Sequence, residues 1–351
     1  MVMFSPSTLH DIASGRRSGW GPDMLRGALA LLELPVAWYA RRKNRAFDEG
    51  RSAVHRVAAP VISVGNLTAG GTGKTPLVEW LARTLQAQGK SVALISRGYG
   101  SLPGKDNDEA RELAAKLPGV LHLQNPDRVA AAQQALEQQP GSVLILDDAF
   151  QHRRIHRDLD IVLLDALAPF GFEHLIPRGL LREPVSALSR ADIVVLSRAN
   201  LIDGADRQEI RERVIAFAPR AVWAEAIHAP RELRSNDGSS LSIDWLRDKR
   251  IAAFCGIGNP AGFRRTLEIA GADMVAWREF PDHCHYNVNH LAGLNSWARE
   301  TNSAAIICTH KDLVKLPHDQ IGGLPLLALV VGLQFTAGEQ AVVTKLANAI
   351  V

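Results

Sequence analysis

The residues of this chain best suited to chemistry are Lys74 and Thr75, which an apolar stretch, Val61-Ile62-Ser63-Val64-Gly65, reaches through a glycine-rich turn. Glycines let such a turn take positive φ and bring backbone N–H groups against phosphate oxygens, and a helix opening there adds its dipole. In that arrangement Lys74 reaches the β- and γ-phosphates of a nucleotide and the Thr75 hydroxyl ligates Mg²⁺. The loop comprises Thr68, Ala69, Gly70, Gly71, Thr72, Gly73, Lys74 and Thr75, with Thr68 at the first glycine position of G-x-x-x-x-G-K-[ST]. A chance glycine turn is the bland reading, and strand, GTGKT and helix in succession weigh against it. Leu77, Val78, Leu81 and Leu85 recur at helical spacing, and Pro76 is tolerated in a first turn, where its missing N–H has no intrahelical partner. The lysine that partitioning-type ATPases place just before two glycines is replaced by Ala69. The guanine-reading Asn/Thr-Lys-x-Asp motif has only Thr309-His310-Lys311-Asp312 as a near match, with the wrong spacing, so ATP is the expected nucleotide.

A second set of chemical groups closes another apolar run. In VLILDD, Asp147 and Asp148 stand at the carboxyl end of an expected strand, where open α/β sheets bind ligands. One carboxylate would hold Mg²⁺ directly or through water, since that ion keeps several waters and takes one or two protein oxygens. A helix-cap or turn acid is the alternative. Directly after come Gln151, His152, Arg153, Arg154, His156 and Arg157, dense in donors for anions and otherwise a solvated basic face. No aromatics interleave with them, so no nucleic-acid partner is expected. His283-Cys284-His285 lacks a fourth ligand at zinc spacing, and Gly256-Ile257-Gly258-Asn259-Pro260-Ala261 reads as a strand-to-helix turn more than as a dinucleotide fingerprint.

These groups need a scaffold. Besides 61–65, the apolar runs at 92–96, 143–146, 161–164 and 193–196 alternate with amphipathic stretches, of which Lys74 to Gln88 is the clearest. Strands alternating with helices predict a parallel α/β sheet, and runs without polar alternation predict helices on both of its faces. The 351 residues suit about two domains at ~150 residues each. The polar, turn-rich stretch 231–250 is the expected linker between a core of 51–230 and a smaller α/β domain, 251–351, restarting with IAAFCG, AAIICT and LPLLALVV. With 46% hydrophobic and 22% charged residues the chain is neither disordered nor fibrous, and a formal charge of +3 is too weak for a dedicated nucleic-acid binder. Three cysteines without a C-x-x-C pair disfavour a disulfide framework and point to a reducing compartment.

Residues 1–50 are read as an interface region. No basic segment followed by an apolar core marks a secretory signal at the start. Met24 to Ala40 is apolar but carries Arg26, Glu33 and Pro35 and falls short of the roughly 20 residues that a spanning helix needs. Its order, apolar residues, then Trp38 and Tyr39, then Arg41-Arg42-Lys43-Asn44-Arg45, suits a helix lying in a membrane surface with cations against anionic lipid. A helix packed on the protein's own core is the competing reading.

Seven ordered blocks give the chain a family resemblance: NLTAGGTGKTP (66–76), SRGYG (96–100), DDAFQHRRIHRDLDIVLLD (147–165), LIPRGLLREP (175–184), GIGNPAGF (256–263), FPDHCHY (280–286) and THKDLVKL (309–316). They resemble the tetraacyldisaccharide 4'-kinase family of lipid A biosynthesis over nearly the whole length. The resemblance implies a P-loop kinase using ATP and Mg²⁺ to phosphorylate the 4'-hydroxyl of a tetraacylated glucosamine disaccharide 1-phosphate at the cytoplasmic face of a bacterial inner membrane. No obligate protein partner is implied. It assigns Lys74 and Thr75 to nucleotide and magnesium, Asp147 and Asp148 to the aspartate pair, and Gln151 and His152 to the polar pair behind it. Within Asn107-Asp108-Glu109-Ala110, Asp108 corresponds to the base that takes the hydroxyl proton, supported by His283 of the Asp282-His283 block, and Arg182 of LREP faces phosphate or acceptor. Asn107, Ala110, Ala149, Cys284 and His310 stand where the family has other residues. With Asp108 and His283 far apart in the chain, closure about 231–250 would assemble the site. Two other functions compete: a P-loop ATPase switch acting through a protein partner, and a kinase for a soluble acceptor.

Overall fold

The computed structural model describes residues 11–70, 72–98, 108–282 and 284–350, with the backbone alone for Asp108 and Glu109. Its strands are β1 (Val61–Asn66), β2 (Val92–Ser96), β3 (Leu121–Gln124), β4 (Val143–Asp147), β5 (Leu159–Asp165), β6 (Ile193–Ser197), β7 (Val222–Arg234), β8 (Ser240–Ser242), β9 (Arg250–Cys255), β10 (Asp273–Glu279), β11 (Ala305–Thr309), β12 (Gln320–Ile321) and β13 (Leu324–Ala337). The helices are α1 (Trp20–Asp48), α2 (Lys74–Ala87), α3 (Asp108–Lys116), α4 (Arg128–Gln138), α5 (Gly204–Phe217), α6 (Pro260–Ile269), α7 (Val288–Glu300), α8 (His310–Leu313) and α9 (Glu339–Ala349).

One mixed, mostly parallel sheet runs in the order β10-β9-β11-β13-β7-β6-β5-β1-β4-β2-β3, with β8 and β12 as short additions to β7 and β13. Strands β1, β4 and β6 are buried along their whole length, because both faces carry helices and the apolar runs have no solvent side. Leu77, Val78, Leu81 and Leu85 of α2 pack on Ile62, Val64, Ile145 and Leu163, joined by Val342 and Leu346 of α9. On the opposite face Val162, Leu164, Val194 and Leu196 pack with Ile210 and Val214 of α5, and Ala131, Ala132 and Ala135 of α4 lie on Ala93, Ile95 and Leu144.

Strand direction decides how the two ends of the chain face each other. The first part of β7 is parallel to β6, up to Leu196 opposite Glu225. Beyond it β7 pairs antiparallel with β13 as far as Arg234 opposite Ala328, and β11 and β9 run parallel to β13. From Glu225 to Leu233 the ribbon advances about 26 Å at ~3.3 Å per residue. The carboxyl ends of β9 and β11 therefore run back toward the edge at which β1 and β4 end. There α3 packs on α8, and Arg234 Nη1 donates to the Ala115 carbonyl at 3.4 Å. The polar stretch 231–250 starts inside β7, holds β8 and a single 3-10 turn, Ile243–Leu246, and ends on the first residue of β9.

Helix α1 is longer than the apolar segment suggests and continues through Pro35. The core holds it by polar groups. Glu33 accepts from Leu175 N at 2.8 Å and pairs with His174 Nδ1 at 2.9 Å. Lys43 Nζ donates to the Gln151 carbonyl at 3.0 Å, and Arg153 joins Asn44 O and Asp48.

Gly65 shows how tightly β1 meets the turn after β4. A Cβ there would lie 2.6 Å from Phe150 Cβ and 2.7 Å from its backbone nitrogen, and Phe150 is fully buried. Gly65→Ala is expected to destabilise the fold by about 1–3 kcal/mol, the usual range for overpacking, read as a lower urea midpoint. An unchanged midpoint would mean that the two segments are less closely packed.

Candidate active site

The phosphate-loop sequence folds as its glycines require. Gly70 has φ 111° and Gly73 φ 88°, and Gly73 is the left-handed residue from which α2 starts. Two neighbours shape the loop. The Ala69 amide donates to the Leu180 carbonyl at 2.7 Å, and Thr68 bridges to Leu181. The Arg182 amide donates to Leu67 O at 2.9 Å, so the loop itself fixes where Arg182 emerges. From β6, Ser197 Oγ donates to the Thr72 carbonyl at 2.7 Å.

At the edge of the sheet three charges meet. Lys74 Nζ lies 3.4 Å from Asp148 Oδ1, and Arg182 Nη1 donates to both Asp148 oxygens at 2.8 and 2.9 Å. Burial alone would push the Asp148 carboxyl up, but Lys74 and Arg182 outweigh it and hold the group below the usual carboxylate range. Asp148 adopts φ 52°, a left-handed conformation uncommon outside glycine, in the turn that ends β4. Asn66 Oδ1 accepts from Lys74 at 3.3 Å, and the Asn66 carbonyl accepts from Gln151 Nε2 at 2.9 Å. Thr75 is the second residue of α2 and half-buried, while Asp147 is buried at the tip of β4, its carbonyl accepting from Arg128 Nη2 at 3.4 Å.

Of the residues singled out in the sequence, the structure brings Lys74, Asp148 and Arg182 into contact, with Gln151 joined to them through Asn66. Thr68, Ala69, Gly70, Thr72, Gly73 and Thr75 make up the described part of the loop. His152 follows Gln151, its amide donating to the Ala149 carbonyl at 2.8 Å. Asp108 opens α3, but its side chain and that of Glu109 lie outside the described residues, as do Gly71 and His283. In the second half Asn259 caps α6 by accepting from Gly262 N at 3.0 Å. Asp312, fully buried, accepts from Gly256 N, Tyr286 and Thr309, fixing the ends of β9 and β11 relative to each other.

Residues not singled out in the sequence also shape the site. Asn66 positions Lys74 and lay inside a quoted block, but as the last residue of a strand it carried no chemical signal of its own. Glu183, next to Arg182, is buried and pairs with Arg190 at 2.6 Å. Buried Lys116 pairs with Glu112 at 2.8 Å and Glu79 at 3.6 Å, tying α3 to α2. Burial pushes Glu112 up, and the ammonium of Lys116, with Lys311 behind it, more than offsets it.

The donor set fits magnesium by its chemistry. Thr75 supplies a hydroxyl, and Asp147 and Asp148 supply carboxylates, all hard oxygens and few enough to leave room for the waters that the ion retains. Among the described residues no three His, Cys, Asp or Glu side chains converge as a metal cluster.

Fold and site together define a P-loop phosphotransferase. A model of the Tetraacyldisaccharide-1-P 4'-kinase family matches residues 25–351. The chain is 40% identical over 312 residues to a tetraacyldisaccharide 4'-kinase of Anaeromyxobacter dehalogenans strain 2CP-C, covering 83% of this chain and 82% of that one. It is 40% identical over 305 residues to the Geobacter metallireducens protein of that name, covering 82% and 88%. Among solved structures it resembles LpxK from Aquifex aeolicus in complex with ATP, at 28% identity and a TM-score of 0.75, covering 93% of this chain and all of that one. The chain belongs to the tetraacyldisaccharide-1-P 4'-kinase family. Its relatives are named as kinases, which favours the kinase reading over a partner-controlling switch.

Three histidines predict the acid response. Burial, then Arg128, Arg154 and Lys43, press His152 down to about 4. Burial with Arg198 and Lys116 does the same for His228, and burial with Lys116 for His310. These groups are neutral in the folded protein at pH 7, and below their ordinary value near 6.5 the unfolded chain takes up protons that the folded chain refuses. Their neutral form supports the fold fully above pH 6.5, and that support is lost as pH falls toward about 4. Urea midpoints should drop between pH 7 and pH 5, with a shallower drop in His310→Gln, and an equal drop in that variant would remove His310 from the account.

Proposed function

We propose that this protein transfers the γ-phosphoryl group of ATP to the 4'-hydroxyl of a tetraacylated glucosamine disaccharide 1-phosphate. The reading rests above all on the contact of Lys74, Asp148 and Arg182 at the phosphate loop of a chain belonging to a family of that name. Phosphoryl transfer passes through a loose transition state with charge on the equatorial oxygens, so the protein positions groups and neutralises charge. Lys74 engages the β- and γ-phosphates, backbone amides of the glycine turn cradle them, and Arg182 faces the migrating group. Thr75, Asp147 and Asp148 would hold Mg²⁺, which would supply charge to offset that of the phosphates. Gln151 and His152 line the same edge.

The acceptor hydroxyl loses its proton to Asp108 as its oxygen bonds to phosphorus, and the bond to the β-phosphate oxygen breaks to release ADP. His283 orients that carboxylate. The facing carboxyl edges of the two halves support this pairing, since Asp108 opens a helix that packs on α8 and the 280–286 stretch follows β10. Movement about the β7–β13 ribbon, in a division of the chain into 51–230 and 251–351 with 231–250 as linker, would exclude water during the step.

The acceptor is a lipid, and α1 is the surface that meets its membrane. Trp20, Leu31, Trp38 and Tyr39 are 81%, 70%, 63% and 63% exposed, while the helix holds the core through Glu33, Lys43 and Asn44. None of the described helices is long and apolar enough to cross a membrane. In this reading the protein acts from the cytoplasmic face of a bacterial inner membrane, the location that the family resemblance implies.

Incubation with ATP, Mg²⁺ and the disaccharide monophosphate should add one phosphate to the lipid by mass, with little ATP consumed when the lipid is withheld. ATP hydrolysis indifferent to the lipid would overturn the assignment. Lys74→Ala and Asp108→Ala should each lower kcat by about 10² to 10⁴, the second without loss of ATP binding. Leu31→Glu with Trp38→Glu should release the protein from anionic vesicles in a sedimentation assay, and unchanged binding would remove α1 as the contact.

A further inference from the structure

His228 meets the phosphate loop from the sheet. It stands on β7 opposite Leu333 of β13, and a Cβ on Gly73 would lie 2.3 Å from its Nε2 and 2.6 Å from its Cε1. The ring thus occupies the space that any side chain at 73 would need. Nε2 is enclosed and makes no hydrogen bond with the described residues. On the adjacent strand, Ser197 Oγ holds the Thr72 carbonyl and also reaches the Leu164 carbonyl at 3.2 Å. Two successive loop residues, Thr72 and Gly73, are therefore fixed from two neighbouring strands, immediately before Lys74.

We propose that His228 is a positioning residue for nucleotide binding, its ring bracing Gly73 in the left-handed turn that presents Lys74 and the amides of the loop to phosphate. The proposal rests on the reading of residues 68–75 as a nucleotide loop. A brace of this kind matters because catalytic and binding groups lose effectiveness when they drift by a fraction of an ångström. Burial, with Arg198 and Lys116 nearby, keeps the ring neutral, so it adds no charge beside Lys74. The same strand carries the second half of the protein through β13, which places the brace at the root of the ribbon joining the halves.

Calorimetric titration of the full chain with Mg-ATP tests it, using the unmodified protein, His228→Ala, Gly73→Ala and the double variant. His228→Ala should weaken ATP about tenfold, with kcat at saturating ATP within about threefold and Tm nearly unchanged. Gly73→Ala strains the left-handed backbone at φ 88° and also forces a methyl into the ring. Removing the ring as well should restore binding by about tenfold relative to Gly73→Ala alone, while the backbone strain keeps the double variant weaker than His228→Ala. Should His228→Ala fail to fold, His228→Phe keeps most of the ring volume and should bind within about threefold of the unmodified protein. Equal affinity of His228→Ala and the unmodified protein, a double variant no tighter than Gly73→Ala, or large loss in a stable His228→Phe each overturns the brace. No ATP binding by the unmodified protein would instead overturn the nucleotide reading of the loop.

Discussion

The pairing of Lys74 with Asp148, and of Asp148 with Arg182, is the interaction on which the site depends. A lysine at the mouth of a glycine turn stands among backbone amides that all present positive ends, and an unbalanced cation there is costly. Asp148 supplies the balance, and it can do so only because the turn after β4 accepts a left-handed non-glycine residue. Arg182 in turn is delivered by its own backbone, whose amide is hydrogen-bonded to Leu67 at the start of the loop. In the proposed reaction a triphosphate entering the loop would compete with Asp148 for the same two cations. On that reading position and charge are coupled: the groups that stabilise the loop would be the ones that a phosphate engages.

The second constraint is strand direction. Ligands of open parallel sheets gather beyond the carboxyl ends of the strands, and a single sheet of uniform direction would offer one such edge. Here the antiparallel pairing of β7 with β13 reverses the direction of β9, β10 and β11, and the length of the ribbon displaces them by some 26 Å at ~3.3 Å per residue. Two carboxyl edges then face each other across one region. Phosphate loop and aspartate pair lie on one side, and the turns after β9 and β11, held by buried Asp312, lie on the other. The buried pairs of Lys116 with Glu112 and Glu79 fix α3 where the halves meet, which makes the position of the residue opening that helix a consequence of ion pairing as well as of packing.

Much of this was legible in the sequence, and the rest was hidden for physical reasons. The runs at 61–65, 92–96, 143–146, 161–164 and 193–196 each fall within a buried parallel strand, because such strands have no polar face to dilute the signal. The helix expected from Lys74 to Gln88 ends at Ala87. By contrast β7, VWAEAIHAPRELR, reads as neither strand nor helix: it is mostly half-buried, and Pro230 removes a ladder donor. The sheet tolerates that proline where its register with β13 shifts, between Val330 and Val331. Arg231 to Arg234 read as the start of a turn-rich linker and are strand, since arginine stems cover a sheet face while their heads stay polar. The Lys74–Asp148–Arg182 contact joins three separated blocks, and the family resemblance had marked all three residues. Their mutual geometry, and the part played by Asn66, needed the fold.

Helix α1 shows why composition alone misleads at a protein's edge. Pro35 looks like an interruption, and in an interior helix it would remove a hydrogen bond and crowd the preceding turn. The helix nevertheless runs through it, because the polar contacts of Glu33 on one side of Pro35 and of Lys43, Asn44 and Asp48 on the other clamp both arms to the core. The arrangement inverts the usual amphipathic rule, in which apolar residues face the protein and polar ones face outward. Ala40 is the one buried residue of the helix, with Ala37 packed beside it on the core, so most of the apolar side chains contribute little to holding the helix, and the proposed membrane contact would give them a role. The clamp is also connected to the chemistry: Lys43 bonds to the Gln151 carbonyl, Gln151 Nε2 to the Asn66 carbonyl, and Asn66 Oδ1 to Lys74. If its exposed tryptophans and leucines enter a membrane as proposed, a helix fastened in that way would set the orientation of the phosphate loop relative to that surface. In the proposed reaction, with an acceptor held by its acyl chains, that orientation would decide whether the hydroxyl can arrive in line with the γ-phosphate.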